Sequence, residues 1–335
     1  TAVAMAATVG AAGLLQLAVV ALLTRRDDLA SPLRISLGPA MRDFARKAVP
    51  GMIANSGPQL MIVAGAIVAS MSPSAVAWLY FANRLIELPL GMVGVAIGTV
   101  LVPEMTRALN RDDRTAAVHA ESRGIELAAA LALPATLGLI VLSEPIVRVL
   151  FEHGAFTAAD TRATALALGC LALGLPAHIL IKALAPAFFA RGDTMTPLLA
   201  TLKGLAVAMV FAVALGWMIG VCGVAVAMAL GAWSSAASLA RSMAGGFGFS
   251  IDTEARRRLP RIALAALVMG GVLWLAVRLL APMSGAHGLL QAATLVVLIA
   301  AGAAIYGLLL LTLRVIDRND IQTALARSRS GDLRA

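Results

Sequence analysis

An arginine and a glutamate stand one helical turn apart inside the long apolar stretch LYFANRLIELPLGMVGVAIGTVLVPEM, residues 79–105. On a helix of 3.6 residues per turn, Arg84 and Glu87 share one face, an arc of about 80°, with three later residues. Those residues are Gly91, Gly94 and Gly98. A guanidinium offers a planar set of donors to phosphate or carboxylate, and a glycine stripe lets a ligand or a second backbone approach closely. Arg84 and Glu87 are therefore candidate substrate-binding residues.

The residues alone leave two interpretations of this charge pair open. Arg84 is about five residues from the predicted outer end of the helix, a depth of roughly 7–8 Å, so its side chain can reach the lipid headgroups with Glu87 as a local partner. Alternatively, the pair lines a water-filled cavity, because an arginine in mid-membrane costs about 2.5–3.5 kcal/mol on insertion scales. The glycine stripe favours the cavity.

The opposite side of the same helix carries large apolar residues: Leu85, Leu88, Met92, Val95 and Val102. Because such side chains suit lipid, we expect this side to face the bilayer and the Arg84 side to face the helix bundle. Pro89 lies between the charge pair and the first glycine and is predicted to kink the helix there. Pro89 and the three glycines are candidates for a cavity lining or a hinge.

Polar side chains also occur in two other apolar stretches. Asn55 and Gln59 flank the pair Gly57–Pro58, which is predicted to break the helix, and interrupted helices in transporters expose backbone groups to ions or substrates. His178 and Lys182 are four residues apart on one helix face. These four residues are further candidates for a cavity lining or a hinge, and hydrogen bonds that join helices are the other interpretation.

The length of the apolar stretches predicts the architecture. Of the 335 residues, 60% are hydrophobic and 13% are charged, about half the charge usual in soluble domains. The apolar runs exceed the ~20 residues that a helix needs to cross ~30 Å of hydrocarbon, and they show no strand-like alternation. We predict an all-α polytopic membrane protein with nine transmembrane helices, over approximately 2–23, 50–72, 75–103, 124–147, 161–189, 198–219, 222–243, 260–281 and 288–313.

The basic residues are concentrated on one side of this predicted topology. Nine alternating crossings place five connectors on the same face, which the positive-inside rule makes cytoplasmic. We therefore expect the first residue outside and the last residue inside, with the net charge of +9 drawn to membrane lipids and not to nucleic acid. The five connectors hold 22 of the 27 Lys and Arg residues: 24–49, 104–123, 190–203, 241–261 and 314–335.

Two connectors and the first residue carry further predictions. Residues 41–49, MRDFARKAV, have the pattern of a short helix that lies on the inner membrane surface. Residues 245–258 begin with glycines and continue with charges, as a linker does. The chain starts with Thr1 and apolar sequence, so we expect a fragment that lacks an N-terminal part.

The sequence contains no recognisable catalytic or metal-binding constellation. Its four histidines are scattered, no glycine-rich phosphate loop follows a strand, and we expect no cofactor. Cys170 and Cys222 lie in apolar runs without metal-ligand spacing, and we predict two small buried hydrophobic residues and no disulfide framework. Asp112 and Asp113 lie between arginines in a run of charges that is predicted to be solvated. An enzyme is not expected.

Two blocks of the sequence resemble the MurJ (MviN) family of lipid II flippases, within the multidrug/oligosaccharidyl-lipid/polysaccharide exporter superfamily. The first is residues 79–109, and the second combines FEHGAFTAADT (151–161) with residues 174–197. The resemblance implies fourteen helices, in two six-helix lobes followed by an added pair. On that template the chain divides into the last helix of the first lobe (1–23), a cytoplasmic connector with an interfacial helix (24–49), the second lobe (50–243), a linker (244–259), the added pair (260–313) and a cytoplasmic tail (314–335).

The resemblance also implies a function. Such proteins move undecaprenyl-diphosphate-linked disaccharide-pentapeptide across the bacterial inner membrane, from the inner to the outer leaflet, for peptidoglycan synthesis. Arg84 matches the arginine of the family's YADRL-type motif and Glu87 the acidic residue one turn later, so both are implied to bind substrate. The motif here is YFANRL, in which Asn83 replaces the usual aspartate. The implied partners are lipid II or a related polyprenyl-diphosphate lipid, membrane lipids and the missing first lobe.

Some members of this family bind sodium in the second lobe through an aspartate with Asn and Thr side chains. Residues 202–216 contain neither Asn nor Asp, and residues 50–72 contain no carboxylate. Sodium coupling at that site is therefore not expected, and protons or the membrane potential remain as driving forces.

Three alternative functions fit the same architecture in part. A polysaccharide-unit flippase shares the expected fold. A MATE-like multidrug antiporter would need cavity carboxylates and aromatic residues, whereas aromatic residues make up 4% of this chain. A membrane-embedded transferase acting on polyprenyl phosphates would need an acidic metal-binding cluster in a loop.

Overall fold

The computed structural model describes residues 2–26, 38–70, 72, 74–97, 107, 114–247, 252–280 and 289–315. All regular secondary structure in these residues is helical. The helices are α1 (Ala2–Arg26), α2 (Pro39–Asn55), α3 (Gly57–Ala69), α4 (Ala75–Ala96), α5 (Arg114–Val141), α6 (Ser143–Phe151), α7 (Ala158–Ala172), α8 (Leu175–Ala190), α9 (Met195–Phe247), α10 (Thr253–Leu280) and α11 (Leu289–Thr312).

The prediction of an all-helical membrane protein is confirmed in the described residues. Five helical segments are long and apolar enough to cross a membrane, and α2 with α3 makes a sixth if this bent pair is one span. The predicted span 161–189 is divided into α7 and α8, and the predicted span 50–72 is divided at Ser56. The five segments are Val118–Val141, Ala158–Ala190, Met195–Gly245, Thr253–Leu280 and Leu290–Thr312.

Helix α9 contains two of the predicted spans, 198–219 and 222–243, joined by a tight reversal. Its backbone is non-helical at Ile219 and at Gly220, where a φ of 61° favours glycine. The two arms then pack through their backbones. A Cβ added to Gly231 would lie 2.6 Å from the Gly204 carbonyl oxygen and 2.6 Å from the Cβ of Ala208.

The chain forms two compact units, residues 1–46 and 47–335. In the first unit, every residue of α1 whose exposure is described is exposed. The second unit has a core rich in alanine, which permits close approach of helices. Larger side chains complete this core: Leu168, Leu175, Ile179 and Phe188.

The predicted surface helix over residues 41–49 is the first part of a longer helix. Helix α2 continues through Pro50 as far as Asn55. The side chains of Met41 and Phe44 are 45% and 67% exposed, so the described residues leave the predicted apolar face uncovered.

The last two helices pack against the rest of the second unit. Leu273 of α10 lies within 3.0 Å of the position that a Cβ on Gly302 of α11 would take, so α10 and α11 are in close contact. Tyr306 of α11 donates a hydrogen bond from its hydroxyl to the carbonyl oxygen of Ala130 in α5, at 2.8 Å. Helices α5, α10 and α11 therefore form one packed layer.

The predicted linker over 244–259 is mostly helical, since α9 ends at Phe247 and α10 begins at Thr253. Asp252 joins the start of α10 to the start of α5. Its backbone N–H donates to Ser122 Oγ at 3.1 Å, and its carboxylate lies 3.2 Å from His119 Nδ1. The hydrogen bond with His119 holds the pKa of the Asp252 carboxyl below its ordinary value.

The prediction that Cys170 and Cys222 form no disulfide is wrong. The two residues, 52 positions apart, form a disulfide between α7 and α9, with their Cα atoms 6.1 Å apart. Neither cysteine is fully buried. The disulfide could not be predicted from the sequence, because only the fold brings α7 beside the reversal in α9.

The contact between the two arms of α9 gives a test of the fold. Gly231→Ala is expected to destabilise the protein by about 1–3 kcal/mol, because the added methyl group must displace backbone of the facing arm. The measurement is the thermal unfolding of the purified protein in detergent. Gly271→Ala in α10 is the control, since no other packed group lies within 4 Å of its added Cβ. Equal melting temperatures for Gly231→Ala and the parent protein would contradict the packing.

Candidate functional site

Helix α4 carries the charge pair and is oriented by a continuous stripe of buried residues. The stripe repeats at intervals of three and four residues, as one face of a helix does. It packs against α7, α8, α3, α9 and α5. Its members are Ala75, Leu79, Ala82, Ile86, Leu90, Val93 and Ile97.

The charge pair forms a hydrogen-bonded cluster with Asn83. Arg84 Nη1 lies 2.8 Å from one carboxylate oxygen of Glu87, and Asn83 Nδ2 donates to the other oxygen at 3.0 Å. The Arg84 side chain is 71% exposed and that of Glu87 is 41% exposed. An exposed pair of this kind contributes little to stability.

Among the described helices, the charge pair lies on the uncovered side of α4. The buried stripe lies on the opposite side of α4, so Arg84 and Gly91 are on an uncovered face. Leu85, which was expected to face lipid, is only 5% exposed. The error has a physical cause. Apolar residues surround almost the whole circumference of α4, so their pattern does not single out one buried side.

The uncovered face of α4 has two sectors. An apolar sector contains Leu88, Met92 and Val95, each more than 60% exposed, as predicted for three of the lipid-facing residues. A polar sector contains the charge cluster and the glycines Gly91 and Gly94. Pro89 lies within α4, which continues through it, and Gly98 lies outside the described residues.

A polar latch, the hydrogen bond between Trp78 and Asp160, fixes the N-terminal end of α4. Trp78 Nε1 donates to a carboxylate oxygen of Asp160 at 2.9 Å. Asp160 also closes a capping box with Thr157 at the start of α7, in which each residue accepts from the other's backbone N–H. The latch joins α4 to α7 at a point six residues before Arg84.

An aromatic cluster supports the same end of α4. The ring of Phe81 lies 4.8 Å from that of Phe151 and 5.5 Å from that of Phe156, measured between centroids. The last two residues belong to the segment FEHGAFTAADT, whose Gly154 has a φ of 63°. This segment of the sequence therefore positions the helix that carries Arg84.

The break between α2 and α3 is confirmed. Helix α2 ends at Asn55, α3 begins at Gly57, and the axis bends by 56°. Ser56 Oγ donates to the Met52 carbonyl oxygen at 2.9 Å, and Pro58 occupies the first turn of α3, where it needs no hydrogen-bond donor.

A small cavity of about 50 Å³, partly open to the surface, lies beside this break. Three of the predicted residues line it together: Asn55, His178 and Lys182. Gln59 is exposed and is not among the lining residues. The lining includes two hydroxyl groups that the sequence did not single out, Thr201 and Ser235, and no Asp or Glu.

The two hydroxyl groups in the cavity already have backbone partners. Thr201 Oγ1 donates to the carbonyl oxygen of Ala54 at 3.3 Å, next to the break, and Ser235 Oγ donates to that of Ala200 at 3.0 Å. The Thr201 hydroxyl therefore joins α9 to α2, and the Ser235 hydroxyl joins the two arms of α9 to each other. Among the described residues, no group of three or more His, Cys, Asp or Glu side chains is arranged to hold a metal ion.

Lys182 connects the cavity with the polar sector of α4. Its side chain crosses α4 at Gly94, where Nζ, Cδ and Cε lie 3.2, 3.7 and 3.9 Å from the position of an added Cβ. The absence of a side chain at Gly94 makes room for the ammonium group. Neither an ion pair nor a hydrogen bond of Lys182 is found in the part of the chain that the structure describes.

The turn at residues 190–197, after α8, is rigidly hydrogen-bonded. Asp193 accepts from the backbone N–H groups of Met195 and Thr196 at 3.1 and 3.0 Å and from the Thr196 hydroxyl at 2.6 Å. Burial alone would raise the pKa of the Asp193 carboxyl, but these hydrogen bonds outweigh it and hold the pKa below its ordinary value. Arg191 lies 3.6 Å from the buried carboxylate of Glu121 in α5.

These features define the class of the protein. Long apolar helices, an interrupted helix beside a cavity that contains polar side chains, and a cationic side chain in a segment of membrane-spanning length are typical of a multi-pass membrane transporter.

The comparisons with known proteins identify the family. The family model described as lipid II flippase MurJ matches residues 1–307, and the chain belongs to this family. A probable lipid II flippase MurJ of Rhizobium meliloti (strain 1021) is 38% identical over 299 residues, which cover 88% of this chain and 56% of that protein. The chain thus spans little more than half of that relative's length.

Two solved structures share the fold. A lipid II flippase MurJ in an inward closed conformation superposes with a TM-score of 0.66 at 22% identity, over 82% of this chain and 55% of that one. A MATE in the bent conformation superposes with a TM-score of 0.54 at 18% identity, over 72% and 56%. At these identities the likeness concerns the fold alone.

The latch at the N-terminal end of α4 gives a test of the site. Asp160→Ala removes the acceptor of Trp78 and one half of the capping box, so α7 should fray and α4 should lose an anchor. We expect a lower melting temperature in detergent and faster amide hydrogen exchange at the start of α7. Trp78→Phe, which removes only the N–H donor, should show a smaller decrease. Exchange that is unchanged in Asp160→Ala would contradict the latch.

Proposed function

We propose that this chain is the translocating second lobe of a lipid II flippase, with the added helix pair. In this proposal the protein moves lipid II from the inner to the outer leaflet of the bacterial inner membrane by alternating access. The observation that carries the proposal is the Arg84 cluster on the uncovered polar sector of α4, in a chain of the MurJ family.

The chemistry of the cluster suits a diphosphate. A guanidinium carries five N–H donors in a planar fork, and among the described residues Arg84 shares one nitrogen with Glu87. The remaining donors are available to phosphate oxygens. Asn83 holds the second oxygen of Glu87, so the carboxylate is fixed as an orienting group for Arg84 and is not a free competitor for cations.

We further propose that a first lobe covers the polar sector. The relative from Rhizobium meliloti is longer than this chain, and α4 leaves Arg84 and Gly91 uncovered. Water and substrate would then lie between the two lobes, where an ionised arginine is tolerated. The domain boundaries, the nine spans, the outside N-terminus and the cytoplasmic C-terminus given in the sequence analysis belong to this proposal.

Multidrug export is the second candidate, favoured by the structural likeness to a MATE. It requires a site that attracts organic cations. The charged groups described here would repel organic cations, since Arg84 and Lys182 are themselves cations and no carboxylate lines the cavity. An anionic substrate therefore fits better than a drug cation.

The test of the proposed function is a substitution of Arg84 in the complete protein that contains this chain. Arg84→Ala is expected to lower lipid II translocation in reconstituted liposomes at least about tenfold, because a charge-assisted contact to the diphosphate is lost. Arg84→Lys should retain part of the activity if charge alone suffices, and little if the planar fork is needed. The assay also distinguishes transport of unchanged lipid II from the formation of a new covalent product.

Leu88→Ala is the matched control, because Leu88 lies on the apolar sector of the same helix and is 64% exposed. Each variant must be present in the membrane at the level of the parent protein. Parent protein that does not translocate lipid II would overturn the proposed function, and full activity of Arg84→Ala would remove Arg84 from it.

A further inference from the structure

We propose that Lys182 is a second anion-binding residue, which receives the diphosphate on the inner side of Arg84. This inference rests on the proposed function and adds a site to it. Lys182 and Arg84 come from different helices, yet both reach the polar sector of α4. The substrate class is a lipid-linked diphosphate.

The position of Lys182 follows from its contact with Gly94. Gly94 is ten residues after Arg84 on α4, which corresponds to about 15 Å along the helix axis. Arg84 and Gly94 also point in similar directions from the axis of α4. Ten residues rotate a helix by roughly 1000°, so the two positions differ by about 80° around the axis. The two cations therefore lie on the same sector, with Gly91 between them as open surface.

The charge of Lys182 has no protein partner in the described part of the chain. On its own helix the nearest polar side chain is His178, which cannot neutralise a cation. On α4 the nearest carboxylate is Glu87, seven residues or about 10 Å along the axis from Gly94, and both its oxygens are engaged. The other polar side chains that line the cavity are the amide of Asn55 in α2 and the hydroxyl groups of Thr201 and Ser235 in α9. An anion is the missing partner.

The location of Lys182 in the helix makes an unpaired ammonium costly. Lys182 is eight residues from Ala190, the last residue of α8, or about 12 Å along the axis. A cation near the centre of a membrane-spanning helix costs about 2.5–3.5 kcal/mol on insertion scales, and such residues commonly mark the path of an ion or substrate. Binding of a phosphate group would offset this cost.

The glycine under the lysine fits this role. A side chain at position 94 would crowd the ammonium group, whereas Gly94 leaves room for it against α4. In the proposed orientation, α8 ends on the cytoplasmic side, so a headgroup from the inner leaflet meets Lys182 before it meets Arg84. Lys182 then binds the diphosphate first, near the inner leaflet, and Arg84 binds it about 15 Å further toward the outer leaflet.

The experiment measures binding of undecaprenyl diphosphate to the complete protein in lipid nanodiscs. Lys182→Gln is expected to weaken binding at least about tenfold, equal to about 1.4 kcal/mol, whereas Lys182→Arg should keep most of it. Lys203→Gln is the matched control, because Lys203 is an exposed lysine of α9 outside the cavity and the polar sector. Inorganic pyrophosphate and nanodiscs of phosphatidylglycerol form two further arms. If pyrophosphate competes with undecaprenyl diphosphate, the result supports a diphosphate site. If only phosphatidylglycerol displaces undecaprenyl diphosphate, the result overturns the proposed diphosphate site.

A chemical rescue separates charge from structure. In a background without Cys170 and Cys222, Lys182→Cys should bind as poorly as Lys182→Gln. Reaction with 2-aminoethyl methanethiosulfonate restores an ammonium group and should restore binding, whereas the neutral methyl methanethiosulfonate should not. Rescue by both reagents, or by neither when both have reacted fully, would overturn the proposal.

The two proposals fail in different ways. If the parent protein neither binds undecaprenyl diphosphate nor translocates lipid II, the proposed function fails. If the parent protein does both and Lys182→Gln does both equally well, only the role of Lys182 fails.

Discussion

The cost of a charge within a membrane-spanning helix governs the site. Lys182 belongs to a segment that is long and apolar enough to cross a membrane, and Arg84 belongs to the span predicted over residues 75–103. An ionised side chain in such a segment needs water or an anion beside it. Among the described residues, this requirement is met on one sector of α4, where glycines leave room and Arg84 is uncovered. The same sector is what a negatively charged substrate requires. In the proposed function, tolerance of the cations and recognition of the substrate thus have one physical cause.

The rest of the fold holds that sector in place. The buried stripe of α4 fixes its rotation, and the hydrogen bond from Trp78 to Asp160, with the aromatic cluster around Phe81, fixes its N-terminal end. On the other side of the cavity, the glycine contact within α9 and the hydroxyl of Thr201 hold the broken helix against α9. Packing through alanine and glycine lets helices lie close enough for Lys182 to reach α4.

The sequence predicted the positions of the helices better than it predicted which side of each helix is buried. Continuous apolar runs identified the helices, and Gly57–Pro58 marked the break in the chain beside the cavity. The spacing of Arg84 and Glu87 predicted their ion pair. The buried side of α4 was not predictable, because a membrane helix is apolar on nearly every side and hydrophobicity alone does not distinguish lipid from protein. The contact of Lys182 with Gly94 and the pairing of Cys170 with Cys222 depend on tertiary structure, so no local pattern announces them.

The most direct test of this account is the reactivity of a cysteine at position 84. In the complete protein without Cys170 and Cys222, Arg84→Cys should react with a water-soluble thiol reagent that does not cross membranes, and lipid II should slow the reaction. Leu88→Cys, on the apolar sector, should stay unreactive. If Arg84→Cys remains unreactive in every state of an otherwise folded protein, position 84 faces no water and the proposed diphosphate site does not exist.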